Sequence, residues 1–141
     1  VMGELNLNLD DGKEKIYINK EKYGEDRVIW INLSDINILS RVDDAYKNIN
    51  KYMKKIEETQ IKDTDQTIKA LKNADKYIRD QVNYIFDYDV SDAVFGKTFA
   101  TADVGGRPYI QAFLDAIAPI IENKLKKYAS NISKYTDKYT K

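Results

Sequence analysis

The sequence predicts an α+β fold, on three observations. Apolar residues alternate with a period of two in the first third of the chain. From about residue 35 they recur every three or four positions instead, and a glycine- and proline-bearing loop late in the chain opens a further apolar helical stretch. A small N-terminal sheet packed on a helical bundle satisfies all three, because a few strands cannot close a barrel and need a helical cover.

Leu5, Leu7 and Leu9 share one strand face, Asp10-Asp11-Gly12 supplies turn residues, and Ile16 and Ile18 share a face on the return strand, which predicts a β-hairpin. A second turn region, Lys20 to Asp26, leads to Val28-Ile29-Trp30-Ile31-Asn32-Leu33, β-branched and aromatic enough for a third strand. The strands thus occupy about residues 4–33. Ser34 is placed to cap a helix over about 35–58, whose stripe is Leu39, Val42, Tyr46, Ile49, Met53 and Ile56. A polar break at Glu57 to Asp65 separates it from a second helix over about 65–87, with Ile68, Leu71, Ala74, Ile78, Val82 and Ile85 on one face. The short link predicts an antiparallel pair whose stripes are core.

The last third begins with the tight segment Asp92-Ala93-Val94-Phe95-Gly96 and the loop Gly105-Gly106-Arg107-Pro108. A helix over about 107–127 follows, its apolar band made of Ile110, Phe113, Leu114, Ile117, Ile120, Ile121 and Leu125. Pro119 lies inside it and predicts a kink near Asp115 to Ala118. Residues 1–127 are read as one domain and 128–141 as a lysine- and tyrosine-rich helical tail, with Tyr128, Ile132, Tyr135 and Tyr139 in register.

Composition restricts function more than it suggests one. The 141 residues suit a single domain. Basic and acidic residues balance at 23 each, so no net charge draws the chain to nucleic acid or an anionic membrane. Cysteine and histidine are both absent, which removes thiol chemistry, disulfides, Cys/His zinc sites and imidazole acid–base catalysis. No apolar run is long enough to span a bilayer and no signal pattern is evident, which predicts a cytoplasmic protein.

Four apparent chemical motifs have plainer readings. Gly96-Lys97-Thr98 ends like a phosphate-binding loop, but Ser91 stands where that loop needs its first glycine, and Val94-Phe95 fill the turn. Asp87, Asp89, Ser91 and Asp92 resemble the start of a calcium loop that then lacks its sixth-position glycine and ends on Thr98 instead of glutamate. Capping and turn formation explain these carboxylates. The acid pairs Asp43-Asp44 and Glu57-Glu58 fall at solvated helix phases. Alternating lysine and tyrosine in the tail could stack nucleobases, although helical spacing and net neutrality favour a protein partner. No catalytic residue, cofactor or metal is expected.

The order of features, with Asn32-Leu33-Ser34-Asp35 opening a helix, Asp92-Ala93-Val94-Phe95-Gly96, the glycine loop and the helix Phe113-Leu114-Asp115-Ala116-Ile117-Ala118-Pro119-Ile120-Ile121-Glu122, resembles the tail assembly chaperones of siphophages and related prophages of Gram-positive bacteria. Members often carry a cysteine near the position of Ser91. The resemblance implies a non-enzymatic protein that coats the tape measure protein and assists tail tube assembly. Partners would be the tape measure protein, and also the major tail tube protein and further copies of the chain. It also implies the short form of a protein often made in two lengths by frameshifting. Phe95, Phe113, Leu114, Ile117, Ile120 and Ile121 are the expected partner-binding residues, with packing in the chain's own core the equal alternative for each. A structural subunit of a tail or contractile injection particle, or a phage protein that meets a bacterial defence system, remains an alternative.

Overall fold

The computed structural model describes residues 3–59 and 62–140, with side chains described up to residue 131. Strand β1 (Glu14–Tyr17) and strand β2 (Val28–Ile31) form an antiparallel ribbon in which Glu14 pairs with Ile31 and Tyr17 with Val28. A single helical turn, α1 (Lys20–Tyr23), joins them. Two long helices follow, α2 (Ile36–Glu58) and α3 (Thr64–Phe86), then the one-turn α4 (Ser91–Phe95). A two-residue ribbon, β3 (Asp103–Val104) with β4 (Arg107–Pro108), leads into the terminal helix α5 (Tyr109–Thr140). The architecture is α+β, a small N-terminal sheet on a helical bundle.

The ribbon differs from the expected three-stranded arrangement. Residues 3–13 form no strand, and Leu5, Leu7 and Leu9 are 102%, 80% and 77% exposed. Local hydrogen bonds explain why the expected hairpin does not form. Gly12 N–H donates to Asp10 Oδ1 at 2.8 Å, Lys13 N–H donates to Asp11 Oδ1 at 3.0 Å, and Asn32 Nδ2 donates to the Asp11 carbonyl at 3.1 Å. These bonds turn the chain onto the end of β2, so that β1 takes β2 as its partner. Ile29 and Ile31 of β2 are fully or almost fully buried and anchor the ribbon to the helices.

The helix pair is antiparallel, as its cross-pairs show. Arg41 Nε donates to the Ile85 carbonyl, Tyr84 to Asp44, and Asn48 to Gln81, while Tyr52 stacks on Tyr77 with ring centroids 4.4 Å apart. Asp35, one residue beyond the expected Ser34, caps α2 by accepting from Asn37 N–H, and Asp63 caps α3 by accepting from Gln66 N–H. The buried face of α2 is Ile38, Val42, Ala45 and Ile49. Leu39 is half-buried and Tyr46 exposed, so the stripe is rotated by about one residue from the expected phase. On α3, Ala74, Ile78, Val82 and Ile85 are interior, whereas Ile68 and Leu71 at its start are exposed.

Gly105 and Gly106 both have positive φ, 62° and 89°, which is what a two-residue turn between twisted strands demands. Helix α5 then runs through Pro119 as one element, past the expected boundary at residue 127. The expected register of Ile132, Tyr135 and Tyr139 concerns side chains outside those described. Among the described residues, no helix is long and apolar enough to cross a membrane.

Candidate functional site

Of the expected partner-binding residues, Phe95, Phe113, Leu114, Ile117 and Ile121 are at most 7% exposed and belong to the chain's own core; only Ile120, at 41%, is open. This corrects the expectation that the apolar band of α5 is a free face. The reason is that α5 is wrapped rather than appended. Phe113 meets Phe86 of α3 at 6.1 Å and Phe95 at 6.3 Å, while Phe95 is also met edge-on by Tyr109 at 5.1 Å. An apolar band therefore reads the same in sequence whether its cover is a partner or an earlier part of the chain.

The Asp92–Gly96 element is held by a residue that periodicity did not single out. Arg79, on α3, donates from Nε to both carboxylate oxygens of Asp75 at 3.1 and 3.0 Å, from Nη1 to Asp92 at 2.9 Å, and from Nη2 to the Gly96 and Thr98 carbonyls at 2.8 Å each. Its guanidinium also lies 5.5 Å from the centre of the Phe95 ring. Asp75 completes the clasp by accepting from Ala100 N–H at 2.8 Å. Asp75 and Arg79 stand four apart on one helix, a spacing found on most charged helices, so the sequence carried only a weak signal of the pair.

This clasp accounts for the apparent phosphate loop. The carbonyls of Gly96 and Thr98 face the guanidinium, while Gly96 N–H donates to the Asp92 carbonyl and Thr98 N–H to the Phe95 carbonyl. The amides that would wrap a phosphate are engaged. The calcium-like run is dispersed in the same way. Asp87 ends α3 in the left-handed conformation, Asp89 accepts from Ser91 Oγ, and Asp92 pairs with Arg79. Among the described residues, no group of three or more acidic side chains is gathered as a metal site would require.

Two apolar grooves flank α5, one on each side. The first, about 540 Å³, lies between α2 and α5 and is lined by Ile36, Leu39, Val42, Tyr46, Leu114 and Ala118. Asp43, Asp115 and Glu122 stand at the same groove, Asp43 paired there with Lys47 at 2.9 Å. Asp115 is oriented by Gln111 at 2.8 Å and by Arg107. The second, about 480 Å³, lies between β1 and α5, where Ile16, Ile18 and Val104 face Ala112, Phe113, Ala116, Ile117 and Ile120. Leu114 thus reaches the first groove, and Phe113, Ile117 and Ile120 reach the second, although all but Ile120 are mainly interior.

Two ionisable groups on the outer face of the helix pair are perturbed. Hydrogen bonding to Asp44 raises the pKa of the Tyr84 hydroxyl above its usual 10.0, and hydrogen bonding to Asp43 raises that of Lys47 above 10.5. Both shifts move the group further from neutrality.

Residues 25–141, from the end of the α1 turn through β2, the helix pair, the clasp and α5, match the model of a family of unknown function, DUF6673. The chain belongs to this family. Residues 3–13 and β1 precede the matched segment, whereas the Arg79 clasp and the α2–α5 groove lie wholly within it. No curated protein and no solved structure matches the chain.

Proposed function

We propose that this protein is a non-enzymatic tail assembly chaperone of a siphophage or related prophage, acting in the host cytoplasm, where it binds the tape measure protein and assists assembly of the tail tube. The observation that carries the proposal is the apolar groove between α2 and α5, together with the sequence resemblance. Ile36 is 70% exposed and Tyr46 42%, so apolar surface on α2 stands unburied beside Leu114 and Ala118 of α5. A groove between two helices suits an amphipathic client helix, which would present apolar anchors at i, i+3, i+4 and i+7. Glu122 at the groove would favour a client with lysine or arginine at a flanking position, Asp43 and Asp115 being paired with Lys47 and Arg107. The tape measure protein is long and helical in the resembled system, so many weak contacts along it would add through high local concentration and still permit displacement by the tube.

The site shifts accordingly from the core of α5 to its rim. Ile36, Leu39 and Tyr46 join Leu114 as the contacts, while Phe95 and Ile121 support them from inside. The test is co-purification with the tape measure protein of the same genome. An Ile36→Asp/Tyr46→Asp variant that keeps its melting temperature should lose the client. Retention of the client by that variant removes the groove from the proposal. Abundant protein in purified mature particles, measured by mass spectrometry, replaces a chaperone with a structural subunit.

A further inference from the structure

The arm Gly3–Asp11 carries Leu5, Leu7 and Leu9 at alternate positions, 102%, 80% and 77% exposed, with no described part of its own chain covering them. Across the molecule, the β1–α5 groove has the complementary features. We propose that this groove receives the Leu5–Leu9 arm of a second copy of the chain, added as a strand along the free edge of β1.

The edge is available. Among the described residues β1 pairs only with β2, and Ile18 N–H donates to the Arg27 carbonyl, which fixes the ladder on the even-numbered residues and leaves the backbone groups of Lys15 and Tyr17 facing away from β2. Four consecutive residues, Ile16 to Asn19, line the groove. Ile16 and Tyr17, successive in β1, face opposite sides of it, so a groove that takes both lies along the strand's edge, with Ile18 and Asn19 following beyond the strand.

The spacing agrees. Leucines two apart in an extended arm recur every ~6.6 Å, and residues four apart on a helix every ~6 Å. Ala112, Ala116 and Ile120, four apart on α5, line the opposite wall, and Ala116 and Ile120 are exposed. Leu5 to Leu9 spans ~13 Å and Ala112 to Ile120 ~12 Å, so each leucine would meet one helical turn. Charge agrees as well. The arm carries Glu4 at one end and Asp10-Asp11 at the other, and the ends of β1 stand beside Lys20 and Lys124. Lys124 already holds Glu14 at 3.2 Å and can share its charge at that exposed site.

The occupant is a second copy, because the arm is tied away from its own groove. The Asp11 carbonyl is held by Asn32, just past the end of β2, whereas the groove lies along the opposite edge of β1. In its own molecule the arm stands off the groove, with all three leucines in solvent. The inference does not rest on the chaperone reading.

The test uses this protein alone, by analytical ultracentrifugation of the full chain over a range of concentrations. The wild type should self-associate. Leu5→Asp/Leu7→Asp/Leu9→Asp and, separately, Ala116→Arg/Ile120→Arg should each associate about 100-fold more weakly or less, since burial of the leucines is lost in both. All the changed positions are exposed, so both variants should keep the wild-type melting temperature; should the groove variant unfold, Ala116→Gln takes its place. Mixed together, the arm variant offers an intact groove and the groove variant an intact arm, and a heterodimer should form. A wild type that stays monomeric, variants that associate like wild type, or a mixture that fails to complement would each overturn the proposal.

Discussion

Arg79→Met removes every donor of the clasp while keeping an aliphatic stem against Phe95. The side chain of Arg79 is 16% exposed and that of Asp75 15%, so the carboxylate left behind has little access to water. Orphaning one member of a buried ion pair costs about 3–5 kcal/mol. Asp75 would keep its bond from Ala100 N–H, which places the loss near the low end of that range. The Gly96 carbonyl, half-buried, would add about 1 kcal/mol for its lost donor. Asp92 is 87% exposed and should contribute little. The sum, about 4 kcal/mol, should appear in urea denaturation and as a melting temperature lower by about 10 °C. Adding Asp75→Asn removes the stranded charge, so the double variant should recover about 1–3 kcal/mol relative to the sum of the single changes. A loss below about 1 kcal/mol for Arg79→Met, the value of an exposed pair, would refute the view that this residue organises the segment from Asp92 to Ala100.

Two further outcomes follow from burial and backbone geometry. Ile121→Asp should cost more than about 4 kcal/mol or abolish folding, and Ile120→Asp less than about 1 kcal/mol, because the first side chain is fully buried and the second 41% exposed; equal losses in denaturant would mean that α5 is not seated as described. Gly96 has φ 61° and ψ −131°, a conformation that other residues adopt only under strain, and an added Cβ would stand 1.9 Å from Arg27 Nη2. Gly96→Ala should therefore cost about 1–3 kcal/mol from the backbone alone, with a further loss that disappears in an Arg27→Ala background; full additivity by thermal denaturation would show that the two residues are not in contact.

The class of fold and the location of both long helices were legible in the sequence, because period is a local property. The β-branched and aromatic run Val28–Leu33 and the three-four spacing in Leu39–Ile56 and Ile68–Ile85 each report a segment's own geometry. Asp10-Asp11-Gly12 was likewise recognisable as a turn. Its consequence was not. The same residues that permit a hairpin also bond to their own backbone and to Asn32, and the choice between those outcomes depends on where β2 lies.

The site was less legible. An apolar stripe states that a face must be covered and is silent about what covers it. Phe113, Leu114, Ile117 and Ile121 are covered from within, by residues brought close only when α3, α4 and the ribbon fold together. Arg79 draws its partners from Asp75, Asp92, Gly96 and Thr98, and its function as a clasp exists only when a turn of α3 and the following loop meet.

By itself the sequence determined the chemistry available to this protein: no thiol, no imidazole, balanced charge, and apolar stripes sufficient for one small α+β domain. Tertiary structure alone decided which apolar surface stayed open, leaving Ile36, Tyr46, Ile120 and the leucines of the arm in solvent while it closed over Phe113, Leu114, Ile117 and Ile121 of α5. Burial is a relation between segments distant in the chain, and local spacing carries no term for it.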